Sequence, residues 1–240
     1  YAGMEMDKEF NASMGFFNAP GIGPYLFDHH NTRTYKYDMQ LVDAYRANRS
    51  DIEAPKRNFI IFHLYGQHTA YGERHPADFA KFGARSVKSK LRLSDEQRGV
   101  VADYLNATLY NDYVVDSIIR MFADRNAVVL YFSDHGEEVY DFRLQQGRTD
   151  LKTDVSRAMH SQLDIPFMLY VSPRYAATHP QQVERIKRSL DRPFMTDNLP
   201  QVIFDLLGVR TKYYKPASSV INDAYRPQKQ RMLQVGRMYD

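Results

Sequence analysis

The fold of this chain is decided by one stretch of sequence, AVVLYFSDHGEEVY, at residues 127–140. Its first six residues are all apolar, and the run has the length of a β-strand. Continuous rather than alternating apolarity is typical of a strand that is covered on both faces. Ser, Asp, His, Gly and two Glu residues follow directly. We therefore predict a buried strand that ends in side chains capable of acid, base or metal chemistry.

The rest of the chain alternates between strand-like and helix-like patterns. Further apolar runs predict strands at 58–64 (NFIIFHL) and 165–171 (IPFMLYV), with a possible last strand at 232–235. Apolar residues at helical spacing predict helices at 37–47, 95–123, 181–190 and 199–207. Ser94 and Gln97 form a capping-box pattern before the longest of these helices, and Gly208 follows the last. This alternation predicts one α/β domain with a mostly parallel central sheet flanked by helices.

Composition excludes several classes of protein. Lys and Arg number 32 against 29 Asp and Glu, and the near-balance of charge argues against a nucleic-acid-binding domain. The longest apolar stretch, 127–132, is far shorter than the roughly 20 residues that span a bilayer. The chain has no Cys, so disulfides and thiolate metal ligands are excluded. Any metal would be bound by His, Asp or Glu.

Ionisable residues follow two of the predicted strands. The first strand leads into His68, and the second into Asp134 and His135. In parallel α/β sheets, ligands bind beyond the carboxyl ends of the strands, so we expect these three side chains to share one cleft. Carboxylate and imidazole groups are suitable zinc ligands. An ordinary hydrogen-bonded loop at the strand end is the alternative interpretation of the Asp-His pair.

Longer stretches of the sequence resemble a known family. They are FHLYGQH at 62–68, ADYLNATLYNDYVVDSII at 102–119, VLYFSDHGEEVYDFR at 129–143, LDIPFMLYVS at 163–172 and RPFMTDNLPQVIFDLLGV at 192–209. In this order they are similar to the catalytic domain of bacterial phosphoethanolamine transferases, which belong to the alkaline phosphatase and sulfatase superfamily. The resemblance implies that residues 1–240 form a single catalytic domain, a three-layer sandwich with a mostly parallel central sheet.

The resemblance also implies a reaction and a set of site residues. A Thr hydroxyl activated by zinc takes phosphoethanolamine from phosphatidylethanolamine and passes it to lipid A or a lipopolysaccharide core sugar, at the periplasmic face of the bacterial inner membrane. Asp134 and His135 match the family's metal-ligand pair. His68 matches a histidine that lies beside the substrate phosphate or a second metal. The expected partners are therefore a phospholipid donor and a lipopolysaccharide acceptor, with no nucleic acid.

Two parts of the family pattern have no match in this chain. The nucleophilic Thr and a metal-ligand Glu are expected upstream of Tyr1, together with the membrane-spanning region, so we expect the 240-residue chain to be inactive by itself. The family commonly has a histidine after the Asp-His pair, in a Gly-Arg-Ser-His context, where this chain reads GRTD at 147–150. His160 is a candidate replacement at the substrate or at a second metal. A surface histidine is the simpler interpretation of His160.

Two alternatives to the transferase stay open at this level. A sulfatase or phosphodiesterase of the same superfamily would use the same metal-ligand pair on another ester. A catalytically inert, metal-binding fragment would keep the ligands without the reaction.

Overall fold

The structure is a computed structural model, and it describes residues 2–3, 35–54, 56–148, 156–228 and 231. The chain divides into two compact units. The first comprises Tyr1–Ile119 and Glu137–Arg148, and the second comprises Arg120–Gly136 and Thr149–Asp240. The possible strand at 232–235 lies outside the described residues.

The helices and strands follow one another along the chain in an α/β order. The strands are β1 (Ala2–Gly3), β2 (Phe62–His63), β3 (Val128–Phe132), β4 (Glu138–Val139), β5 (Gln146–Gly147) and β6 (Phe167–Val171). The helices are α1 (Asp38–Ala47), α2 (Arg49–Ile52), α3 (Asp95–Met121), α4 (Ser156–Leu163), α5 (Pro173–Thr178), α6 (Pro180–Lys187) and α7 (Leu199–Leu207). None of the helices in the described ranges is both long enough and apolar enough to cross a bilayer.

The long helix α3 begins where the capping box predicts. Ser94 Oγ accepts a hydrogen bond from the Gln97 N–H at 3.2 Å, and Gln97 Oε1 accepts one from the Ser94 N–H at 2.9 Å. These two bonds satisfy backbone donors that the first helical turn leaves without a partner. The sequence prediction of a helix over 95–123 is therefore confirmed to within two residues.

The first unit is built on α3. The Met39 N–H at the start of α1 donates to the Tyr110 hydroxyl at 3.1 Å, and Tyr45 of α1 packs edge-on against Phe62 of β2. A second cluster joins Tyr71, Ala107 of α3 and Val139 of β4. The short strands β1 and β2 pair in parallel, and β4 and β5 pair as an antiparallel hairpin.

The second unit contains the pair of β3 and β6. Both strands lie where the sequence predicts them, but they run antiparallel, with Val128 opposite Val171 and Phe132 opposite Phe167. The prediction of parallel strands is wrong for this pair. The reason is that α4 ends beside the carboxyl end of β3, where the Gly136 N–H donates to the Gln162 carbonyl at 2.9 Å. The chain therefore enters β6 from the end at which it leaves β3.

The core of the second unit lies between β6 and the last helices. Ile186 of α6 and Val202 of α7 are buried with Val220 and Ile221. As predicted, α7 ends at Gly208, which has a left-handed φ of 66°. Helix α5 is not among the predicted elements. It begins after Ser172, whose Oγ accepts a hydrogen bond from the Tyr175 N–H at 3.1 Å.

Candidate metal centre and the loops of the site

Asp134 and His135 form a fixed turn directly after β3. Ser133 Oγ donates to the His135 carbonyl at 2.6 Å, and the His135 N–H donates to Asp134 Oδ1 at 3.0 Å. The Ser133 hydroxyl hydrogen is thereby used within the turn. The two bonds hold Asp134 and His135 together at the carboxyl end of the strand, as predicted.

The imidazole of His135 is held in the tautomer that leaves Nε2 available to a metal. Its Nδ1 lies 2.8 Å from the Gly136 carbonyl oxygen, which can only accept, so Nδ1 carries the hydrogen. Nε2 is then left with a free lone pair, the usual arrangement of a histidine ligand.

Nε2 of His135 and the Asp134 carboxylate are spaced for binding to one ion. His135 Nε2 lies 3.5 Å from Asp134 Oδ2. Two ligands at about 2.0–2.2 Å from a tetrahedral zinc ion are roughly 3.3–3.6 Å apart. The side chain of Asp134 is 85% exposed and that of His135 is 27% exposed, so the space between them can be reached by an ion. The donor chemistry and the spacing both fit zinc.

Gly136 is required by the close approach of α4. A Cβ built on this glycine would lie 2.2 Å from the Ser161 carbonyl oxygen and 3.1 Å from the Asp164 carbonyl oxygen. No side chain fits there. The contact fixes the end of α4 beside the Asp-His turn.

His160 lies on α4, within the same unit as Asp134 and His135. Its imidazole Nδ1 is 3.1 Å from Asp164 Oδ2, and both side chains are largely exposed. An exposed pairing of this kind agrees with the surface interpretation, and a role for His160 at the substrate or a metal stays a prediction. Across the described residues, no three His, Asp or Glu side chains come together to bind a metal. Asp134 and His135 thus bring together two side chains of the types that bind zinc.

His68 lies in the first unit, in a loop held from two sides. The buried carboxylate of Asp38 accepts hydrogen bonds from the Tyr65 and Gly66 N–H groups, both at 2.9 Å. Burial raises the pKa of Asp38 above its ordinary 3.8, against the effect of these two bonds. From the other side, Arg74 donates to the His68 carbonyl at 3.3 Å.

The His68 side chain is exposed, and its Nδ1 lies 3.4 Å from the Thr69 carbonyl oxygen. The main chain on both sides of His68 is therefore fixed, while the imidazole faces solvent. A cleft shared with Asp134 stays a prediction, because the two residues belong to different units.

The first unit has a surface cleft of about 180 Å³, whose lining begins two residues after His68 in the sequence. It is lined by Ala70, Tyr71, Gly72, Glu73, Val100, Asp103 and Gln146. Ala70 has a φ of 65°, an uncommon value for a residue other than glycine. The cleft therefore begins at a strained turn, two residues after His68.

Both glutamates that follow the Asp-His-Gly turn have partners. The Tyr71 hydroxyl donates to Glu137 Oε1 at 3.0 Å, and burial together with that carboxylate raises the pKa of Tyr71. Glu138 is fully buried and binds Arg143 through both oxygens, at 2.7 and 2.8 Å. The sequence analysis missed Asp38, Arg74 and Arg143 as residues that position the loops, since ordinary surface ion pairs use the same residue types.

Comparison with known protein families shows the class to which this chain belongs. The family model Sulfatase matches residues 4–209, so the chain belongs to the sulfatase family. The predicted resemblance is confirmed, and the fold is of the sulfatase-like α/β type.

Particular relatives are phosphoethanolamine transferases. The chain is 34% identical over 221 residues to phosphoethanolamine transferase EptC of Escherichia coli K12, an alignment that covers 90% of this chain and 37% of EptC. The crystal structure of the C-terminal periplasmic domain of EptC from Escherichia coli is similar with a TM-score of 0.75 and 28% identity, over 96% of this chain and 63% of that one. Its complex with Zn gives a TM-score of 0.74 and 29% identity, over 95% and 62%. The chain thus spans well under half the length of the curated relative.

Proposed function

We propose that this chain is the catalytic domain of a metal-dependent phosphoethanolamine transferase, with Asp134 and His135 as metal ligands. The observation that carries the proposal is the geometry of this pair: Nε2 of His135 has a free lone pair 3.5 Å from the Asp134 carboxylate. The similarity to EptC and to its complex with Zn supports zinc as the metal. Zinc, when bound, would polarise a phosphoryl oxygen and lower the pKa of a hydroxyl group.

The residues of the chain have separate tasks in this proposal. Asp134 and His135 bind the metal, and the Gly136 carbonyl keeps the hydrogen on Nδ1 so that Nε2 stays available. The exposed imidazole of His68 binds a phosphate oxygen or moves a proton at Nε2. Asp38 and Arg74 fix the loop that carries His68. His160 is proposed as a further contact to the substrate or to a second metal.

The reaction is a transfer in two displacements. A Thr hydroxyl, which the family resemblance assigns to the sequence upstream, loses its proton and forms a bond to phosphorus while the bond to the diacylglycerol oxygen breaks, and that oxygen takes up a proton. A hydroxyl of lipid A or of a core sugar then loses its proton as it attacks the same phosphorus, and the Thr oxygen is released and protonated again. The site would lie at the periplasmic face of the inner membrane, within a three-layer sandwich whose central sheet is mostly parallel. The named relatives do not favour the inert-fragment alternative.

The test is a transfer assay with a labelled phosphatidylethanolamine analogue and lipid A as acceptor. A longer chain that carries the upstream Thr and Glu should transfer the label in a zinc-dependent way, and the 240-residue chain should not exceed background. His135→Ala in the longer chain should lower the rate by at least about 100-fold, because a ligand of the metal is lost. His179, which is exposed and stacks on Tyr175, is the matched control, and His179→Ala should retain the rate.

Three results would contradict the proposal. Robust activity of the 240-residue chain would show that the nucleophile lies within it. Hydrolysis of the analogue, or of a sulfate ester, without transfer would favour the hydrolase alternative. An unchanged rate in His135→Ala would remove the metal-ligand assignment.

A further inference from the structure

The segment 81–92 (KFGARSVKSKLR) carries a strong local excess of positive charge. It contains five basic residues and no acidic residue, in a chain with a formal net charge of only +3. All five side chains are exposed, and no ion pair with an acidic side chain is found for any of them in the part of the chain that the structure describes. They are Lys81, Arg85, Lys88, Lys90 and Arg92, and we call them the basic strip.

The basic strip is fixed to the flank of α3 in the first unit. Phe82 donates its N–H to Asn106 Oδ1 at 2.8 Å and accepts from Asn106 Nδ2 at 3.0 Å. Further along the segment, Arg98 Nη1 donates to the Val87 carbonyl at 2.8 Å. Asn106 and Val87 are both buried. The cations are therefore carried by an anchored segment, and little backbone ordering is required when they bind a partner.

Exposed apolar side chains lie on the helix to which the segment of the basic strip is anchored. Leu105, Leu109 and Tyr113 are spaced four residues apart on α3, so they share one face of the helix. They are 36%, 36% and 46% exposed, and Phe82 of the anchored segment is 40% exposed. We call these four residues the apolar ridge. Phe79 packs against Tyr113 with ring centroids 5.2 Å apart, which holds the far end of the ridge in place.

We propose that the basic strip and the apolar ridge dock the first unit onto an anionic phospholipid surface. Fixed cations beside exposed apolar and aromatic groups are the combination that binds the interface of an anionic bilayer, where headgroups take the charges and the acyl boundary takes the apolar groups. Exposed acidic residues lie along α3 itself, at Asp95, Glu96, Asp103, Asp112 and Asp116, so the positive charge is confined to the segment 81–92. Half of the apolar ridge, Leu105 and Leu109, is aliphatic, and aliphatic side chains match an acyl boundary better than they match nucleic-acid bases.

This inference goes beyond the proposed function, which concerns the reaction and its metal ligands. It concerns binding alone, so it can fail or succeed independently of transferase activity.

The experiment is co-sedimentation of the 240-residue chain with vesicles. Vesicles of phosphatidylcholine mixed with phosphatidylglycerol should bind the chain, vesicles of phosphatidylcholine alone should not, and raising the ionic strength to about 1 M should release it. The triple variant Lys88→Glu, Lys90→Glu, Arg92→Glu should bind at least about tenfold more weakly. Leu105→Gln with Leu109→Gln should weaken binding by about threefold or more, since apolar contact with the acyl boundary is lost.

A matched control separates the local surface from net charge. Arg174→Glu, Lys212→Glu, Lys215→Glu changes the net charge by the same amount at exposed positions of the second unit, and it should bind within about twofold of the unaltered chain. Circular dichroism before the assay confirms that each variant is folded. Equal weakening by both triple variants, equal binding to both kinds of vesicle, or unchanged binding of the leucine variant would overturn the proposal. Binding to a DNA duplex with the same salt response, and none to vesicles, would also overturn it.

Discussion

Glu138 is a carboxylate without access to solvent, and its charge is compensated by Arg143. Both oxygens of Glu138 accept from the guanidinium, and the Glu138 carboxylate raises the pKa of Arg143. Removing Arg143, the more exposed partner, should destabilise the fold more than removing one partner of a surface ion pair, because the charge of Glu138 would be left uncompensated in the interior. Glu137, which directly precedes Glu138 in the sequence, accepts a hydrogen bond from the Tyr71 hydroxyl.

We expect Arg143→Met to lower the melting temperature by about 5 °C or more. The matched control is Arg46→Met, which removes an exposed pair with Asp43 at 3.0 Å and should lower the melting temperature by about 1 °C or less. Thermal unfolding followed by circular dichroism measures both. Equal melting temperatures for the two variants would contradict the importance of the buried pair.

At the same scale, the position of the Asp-His turn could be predicted from the sequence, whereas the residues that hold the surrounding loops could not. Asp134 and His135 were predictable because they follow an apolar strand directly. Asp38 and Arg74 lie 27 and 6 residues from the groups they hold. A carboxylate at the start of a helix normally stabilises the helix dipole, so nothing in the sequence marks Asp38 as a partner of the His68 loop.

Among the elements, the contact between the Asp-His-Gly turn and α4 depends on the absence of a side chain at Gly136. We expect Gly136→Ala to lower the free energy of unfolding by about 3 kcal/mol, because the new Cβ would overlap the Ser161 carbonyl oxygen. Gly99 in α3 is the control, since nothing lies within 4 Å of a Cβ there. Gly99→Ala should raise the stability by about 0.5–1 kcal/mol through helix propensity. Urea titration of both variants is the measurement, and a Gly136→Ala variant as stable as the unaltered chain would disprove the close approach.

Asp38 connects α1 to the His68 loop, and the stability that it contributes depends on pH. Burial raises the pKa of Asp38 above 3.8, so the folded state binds this proton more tightly than the unfolded state. The stability that Asp38 contributes by this route is complete below pH 3.8 and is lost as the pH rises through the raised pKa. Asp38→Asn lacks this titration. The free energy of unfolding of the unaltered chain, relative to Asp38→Asn, should therefore fall between acidic and neutral pH.

Urea titrations at several pH values measure this difference, with the exposed Asp43 changed to Asn as the control. A relative stability that rises with pH would show that the two N–H hydrogen bonds outweigh the desolvation of the carboxylate.

The order of the elements was predictable, while the direction of β6 was not. Apolar runs and helical spacing located β3, β6, α1, α3 and α7. Strand direction depends on where the connecting chain returns, and that is decided by the contact of Gly136 with α4. A helix as short as α5 has too few apolar positions for periodicity to detect, although Ser172 followed by Pro173 is a helix-start pattern.

At the scale of the whole molecule, the sulfatase family assignment and the Asp-His pair support the same chemistry. Of the predicted site residues, His68 lies in the first unit, and Asp134, His135 and His160 lie in the second. Within the described residues, no more than two side chains of zinc-binding type come together at the Asp-His turn, fewer than the three or four protein ligands that zinc usually has. We therefore expect the chain to bind zinc weakly and through this pair.

Isothermal titration with zinc tests this account most directly. The 240-residue chain should bind with a dissociation constant of about micromolar or weaker, because a two-ligand shell is incomplete. His135→Ala should abolish the binding, and His179→Ala should leave it unchanged. A nanomolar constant, or binding that persists in His135→Ala, would contradict the assignment of Asp134 and His135 as the metal ligands.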